Sequence, residues 1–119
     1  MNIEEIREYC LHKKGVTEET PFGDMVLVFK VMGKMYALLP LDETEGRINV
    51  KCEPELAISL REEYSGVIPG YHMSKKHWNT LIFDGSFSDK ELTEWIDHSY
   101  ELVISGLPKK LKDELNNLP

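Results

Sequence analysis

The chain has 119 residues, 41% of them hydrophobic and 29% charged, with two cysteines and a formal net charge of −7. That length fits one domain around one core, and the composition excludes a chain disordered throughout. No apolar run approaches the roughly 18–20 residues of a membrane helix, and the acidic start MNIEEIREYC lacks the basic and apolar regions of a secretory signal, so a cytoplasmic protein with no membrane partner is expected.

Asn2 caps a helix reaching about residue 13, with Glu5 placed for a capping box and Ile3, Ile6 and Cys10 on the buried stripe. Gly15 stops it. VTEETPFGD (16–24) reads as a polar loop punctuated by Pro21 and Gly23. MVLVFKV (25–31) and MYALLP (35–40) read as strands, and the short turn at Gly33 between them makes an antiparallel hairpin. RINVKC (47–52) sets Ile48 and Val50 against Arg47, Asn49 and Lys51, a third strand with one wet face.

Pro54 opens a helix to about residue 64 with Leu56, Leu60 and Tyr64 on one face. SGVIPGYHMSKK (65–76) reads as irregular, because Gly66, Pro69 and Gly70 forbid a helix through it. HWNTLIF (77–83) is a further strand. Ser88 and Glu91 form the capping box of the clearest helix, whose inner face carries Leu92, Trp95, Ile96, Ser99, Leu102 and Val103. Gly106 and Pro108 end it, and a short last helix carries Leu111 and Leu115. Hairpin-linked strands flanked by helices predict a single α+β domain over residues 1–119, with a largely antiparallel sheet and helices packed on one face.

Motifs for chemistry are scarce. His72 and His77 are five residues apart, a spacing that suits neither a helical pair nor a zinc finger, and Cys52 is twenty residues upstream of His72. No metal site and no cofactor are expected. Cys10 and Cys52 read as buried free thiols. No G-x-S-x-G elbow and no glycine-rich phosphate loop occurs, so no catalytic residue is assigned. The carboxylates Glu4, Glu5 and Glu8 read as a solvated helix face rather than a cation site.

GYHMSKKHW (70–78) is the richest local feature. It carries Lys75 and Lys76, no acid, and flanking aromatics, whereas residues 88–101 carry five acids against Lys90 alone. Lysines and protonated histidines contact phosphate, and Tyr71 and Trp78 either stack on a base or plug the core.

The residues also resemble a known family. PFG (21–23), VFKVMGKMYALL (28–39), NVKCEP (49–54), GVIPGYHMSKKHWNTL (66–81) and DHSYELVISGLPKK (97–110) are similar to the MmcQ/YjbR-like family of small bacterial proteins over nearly the full chain. The resemblance implies a CyaY-like (frataxin-like) double-wing arrangement. It also implies a non-catalytic DNA-binding module, although that function rests on fold-level analogy. The block residues Tyr71, His72, Lys75, Lys76, His77 and Trp78, with Lys51 and Arg61 as basic positions before the block, are the candidate nucleic-acid or anion-binding set. DNA is the first expected partner. A small anionic ligand or a protein partner with no nucleic-acid role is the alternative, and it suits the −7 charge better.

Overall fold

The computed structural model describes residues 1–70 and 73–119. Along the chain lie α1 (Ile3–Leu11), β1 (Val16–Glu19), β2 (Val26–Val31), β3 (Lys34–Pro40), β4 (Arg47–Lys51), α2 (Pro54–Glu63), β5 (Val67–Pro69), β6 (Trp78–Ile82), α3 (Asp89–Ser105) and α4 (Lys109–Asn116). Among the described residues the strands form one six-stranded sheet in the order β1-β2-β3-β4-β6-β5, and every neighbouring pair is antiparallel. This is the α+β class expected from the hairpin spacing.

Local chemistry sets the element ends. Both capping boxes form, Asn2 with Glu5 and Ser88 with Glu91. At the start of α2 the Glu53 carboxylate accepts from the amides of Glu55 and Leu56, ahead of Pro54 at the first helical position. The β2–β3 hairpin turns on two residues, Met32 and Gly33, both at positive φ (49° and 83°). Such a turn matches the right-handed twist of the flanking strands and favours glycine at its second position.

Two strands depart from the sequence reading. Val16–Glu19 forms edge strand β1 instead of a polar loop. Its inward positions are only half-buried, so it carries no continuous apolar signal; Glu18 is held by the Arg7 guanidinium of α1 rather than by packing. Val67–Pro69 forms the opposite edge strand, β5, inside the segment expected to be irregular. Pro69 is tolerated there because an edge strand has one side free of ladder bonds.

Helices α1 and α3 cover one face of the sheet. Between them and the sheet lie Ile6, Cys10, Phe29, Tyr36, Leu39, Ile48, Val50, Leu81, Ile96, Tyr100 and Val103. A bulge places Ala37 opposite Phe29 but Met35 opposite Lys30, so Tyr36 is the extra residue and faces the helices alongside Ala37. Its hydroxyl donates to the carbonyl of Cys10 in α1. On the other face, among the described residues, the packed cluster contains no helix residue. There Val28, Leu38 and Trp78 form a second cluster, with Val26, Met35 and Met73 packed against it.

Candidate functional site

The segment from Gly70 to Trp78 joins the end of β5 to the start of β6. Its closing is tight: the Gly70 amide donates to the Trp78 carbonyl at 2.8 Å, and a Cβ at Gly70 would lie 2.7 Å from the Trp78 Cβ. The His77 carbonyl accepts from the Cys52 amide at 2.7 Å, and the Trp78 amide donates to Ser74. Tyr71 and His72 lie outside the described residues.

The remaining candidates separate by environment. Lys75, Lys76 and His77 are exposed on the loop. Trp78 is 8% exposed and packs with Val28 and Leu38. Arg61, on the last turn of α2, donates from Nε to Asn79 Oδ1 at 2.7 Å and from Nη2 to the carbonyls of Lys75 and Trp78. Its guanidinium braces the loop from inside. Lys51 ends β4 directly opposite Trp78 of β6.

Lys51 takes part in a second arrangement. β3 and β4 pair at Ala37–Val50 and Leu38–Asn49. At the next position Ser99 of α3 enters between the strands: its Oγ accepts from the Lys51 amide at 2.8 Å and donates to the Tyr36 carbonyl at 2.6 Å. Beyond this wedge is a cleft of about 310 Å³ lined by Lys34, Met35, Lys51, Trp78, Leu102, Val103, Gly106 and Leu107. Neither lysine has an ion-pair partner among the described residues. Sequence reasoning named Lys51 and Trp78 but missed Lys34. The available signal was the short turn joining β3 to the next strand, since antiparallel pairing of β3 with β4 puts the start of β3 at the same end of the sheet as the end of β4.

Charge is sorted along the strands. At the sheet end holding the cleft are Lys34, Lys51, Lys75 and Lys76, and Lys109 and Lys110 open the helix that follows Leu107. At the opposite end the loops after β1 and β3 carry Asp24, Asp42, Glu43 and Glu45. Arg47 begins β4 at the acidic end and Glu53 follows Lys51 at the basic one, so the two ends differ by an excess of one sign.

The two thiols, His98, Glu53 and Tyr64 are committed to structure. Burial pushes the Cys10 thiol up to about 12 and the Cys52 thiol up to about 11, away from the reactive thiolate range. The His98 ring accepts from the Glu53 amide at 3.2 Å. The backbone amides of Leu56 and Glu55 hold the Glu53 carboxylate below its usual range. The Tyr64 hydroxyl, bonded to Glu91, is raised to about 12. Among the described residues no three His, Cys, Asp or Glu side chains group as metal ligands, and no helix is long and apolar enough to cross a membrane.

Comparison with known proteins gives a consistent assignment. The YjbR family model matches residues 11–102. The uncharacterized protein YjbR of Escherichia coli (strain K12) is 31% identical over 118 residues, covering 99% of this chain and 100% of that protein. The uncharacterized protein YbdF of Escherichia coli O157:H7 is 36% identical over 90 residues, covering 76% of this chain and 74% of that one. The crystal structure of the Deinococcus radiodurans protein DR2400, with family-model domain DUF419, superposes with a TM-score of 0.89 at 36% identity, over 99% of this chain and 89% of that one. A Pseudomonas syringae protein superposes with a TM-score of 0.73 at 31% identity, over 86% of this chain and 98% of that one. By family model, full-length sequence similarity and fold, the chain belongs to the YjbR family.

Proposed function

We propose that this protein is a non-catalytic binding domain that holds a small anionic ligand in the cleft between Lys34 and Lys51. One observation carries the reading: two lysines from adjacent strands, without ion-pair partners among the described residues, border a cleft whose walls are Met35, Trp78, Leu102, Val103 and Leu107. A pocket with apolar walls and a few convergent charges selects a ligand with an apolar body and an anionic group. A volume of about 310 Å³ is at the small end for such sites, which suits a metabolite rather than a polymer. Lys75 and Lys76 on the adjoining loop extend the positive rim.

The test is an amide NMR titration with adenosine monophosphate, inorganic phosphate and a single-stranded oligonucleotide. Shifts centred on residues 34, 35, 51, 78 and 102–107 with the nucleotide, lost in Lys34→Glu with Lys51→Glu, support the anion seat. Unchanged spectra with the nucleotide and phosphate would remove it.

DNA binding is the second reading, favoured by the exposure of Lys75, Lys76 and His77 on one loop. In that reading shifts with the oligonucleotide cluster at residues 73–77, weaken steeply with added salt, and disappear in Lys75→Glu with Lys76→Glu. Burial takes the Trp78 ring out of base stacking and the internal bonds of Arg61 take its guanidinium out of free phosphate contact, which leaves Lys75 and Lys76 as the phosphate contacts of this reading.

A further inference from the structure

The face of the sheet opposite α1 and α3 carries a second cavity, away from the lysine cleft. It measures about 450 Å³ and is lined by Phe22, Val26, Leu38, Pro40, Met73, Asn49, Asp42 and Glu43. Its floor comes from β2, β3 and β4, Met73 walls one side from the loop before β6, and Phe22 walls another from the loop before β2. Phe22 is 62% exposed, and Met25 and Leu41 at the same end of the sheet are 49% and 39% exposed. The Leu41 amide donates to the Met25 carbonyl at 2.8 Å, which ties the two loops together. Large apolar side chains left in water around a concavity mark a binding site more often than a bare surface.

Among the described residues the charged groups lining this cavity have one sign, and Asn49 is the neutral polar group beside them. Asp42 and Glu43 line it, and Asp24 and Glu45 lie in the same two loops. The cation nearest in sequence, Arg47, approaches Glu43 only at 3.9 Å, and Asp42 has no ion-pair partner among the described residues. An anionic ligand is disfavoured here by repulsion, and a neutral one gains nothing from the two exposed carboxylates. A ligand with an apolar body and an ammonium or guanidinium group satisfies both the walls and the mouth.

We infer that the cavity bounded by Phe22, Leu38 and Met73 is a binding site for a small organic cation with an apolar body, its charge held by Asp42 and Glu43. The site is separate from the proposed anion cleft: the two share no lining residue, and they lie toward opposite charge poles of the sheet.

Tryptamine and indole-3-propionate are the probes, because they share an aromatic body and differ in the sign of the charged group. In amide NMR titrations of the full chain, tryptamine is expected to shift residues 22–26, 38–43, 49 and 73, and indole-3-propionate is expected to leave them unmoved. Asp42→Asn with Glu43→Gln should weaken tryptamine about tenfold; these exposed positions leave the core untouched. Val26→Phe, which fills the cavity, should abolish binding, with a thermal melt confirming that the variant folds. Equal shifts from both probes, no cavity shifts with tryptamine at low-millimolar concentration, or unchanged affinity in the double variant would each overturn the inference. So would binding of a basic amphipathic peptide to this face by a protein that ignores tryptamine, which would assign the face to a protein partner.

Discussion

Tyr36 and Lys51 occupy facing positions on adjacent strands, yet the Lys51 amide reaches the Tyr36 carbonyl only through the hydroxyl of Ser99. A helix side chain thus takes the place of one ladder bond. The bulge at Tyr36 supplies the extra backbone length, and the strands part where the lysine cleft begins.

Ser99 is fully buried, so its loss leaves an amide and a carbonyl without their partner. Ser99→Ala is expected to cost about 1–3 kcal/mol in urea unfolding. It should also speed hydrogen exchange at the Lys51 amide and weaken any ligand of the lysine cleft. Unchanged exchange at that amide would show that the strands close directly and that the serine is no wedge.

Arg61 is the second test of where structure ends and binding begins. Its Nε bonds Asn79, which is 1% exposed, and its Nη2 bonds two loop carbonyls. Lysine cannot reproduce this fork. Arg61→Lys is expected to lower stability by about 1–3 kcal/mol and to perturb the amide shifts of residues 73–79. Chemical shifts unaltered beyond residue 61 and its chain neighbours would return Arg61 to the list of free phosphate contacts.

Acid stability follows from four carboxylates. Arg7 holds Glu18 below its usual range, the amides of Leu56 and Glu55 hold Glu53 low, Ser86 holds Asp84 low and Tyr64 holds Glu91 low. Each is more acidic folded than unfolded, so its stabilisation is present above the unfolded carboxylate range and is lost as pH falls through the folded value. The urea midpoint should stay level from neutral pH to about 5 and fall below about 4. Glu53→Gln should flatten part of that fall; an identical acid profile in the variant would contradict the assignment of Glu53 as the cap of α2.

Cys10 and Cys52 are buried, and burial raises both thiols. Iodoacetamide at pH 8 should leave the native protein unmodified and label both cysteines in urea. Rapid labelling of Cys52 in the native state would mean that the strand end beside His77 opens locally.

The long amphipathic helix, both capping boxes and the β2–β3 hairpin were legible because each has a local cause: periodicity, a side chain three residues from its amide, or a turn needing positive φ. Strand β4 was legible as a strand, but the wet face expected of it was not found: it lies inside the sheet, where Asn49 is buried and accepts from the Thr80 hydroxyl, and Arg47 and Lys51 are half-buried. The edge strands were not, since Val16–Glu19 and Val67–Pro69 take their form from the neighbour they pair with. The basic–aromatic block was legible as a cluster but not as a division of roles. Lys75, Lys76 and His77 face water, Trp78 faces the second core and Arg61 turns inward.

The sequence by itself determined the α+β class, the main core under the helices and the family likeness, because burial pattern and local hydrogen bonding are properties of short segments; the second cluster of Val28, Leu38 and Trp78 came only with the structure. Tertiary structure alone decided the binding geometry. Lys34 meets Lys51 because antiparallel strands bring one start beside one end. Asp42 and Glu43 share a cavity with Met73 because β4 pairs with both β3 and β6 and so brings the loop after β3 and the residues before β6 to one face. Those neighbours are far apart along the chain, and only the pairing of distant strands makes them adjacent.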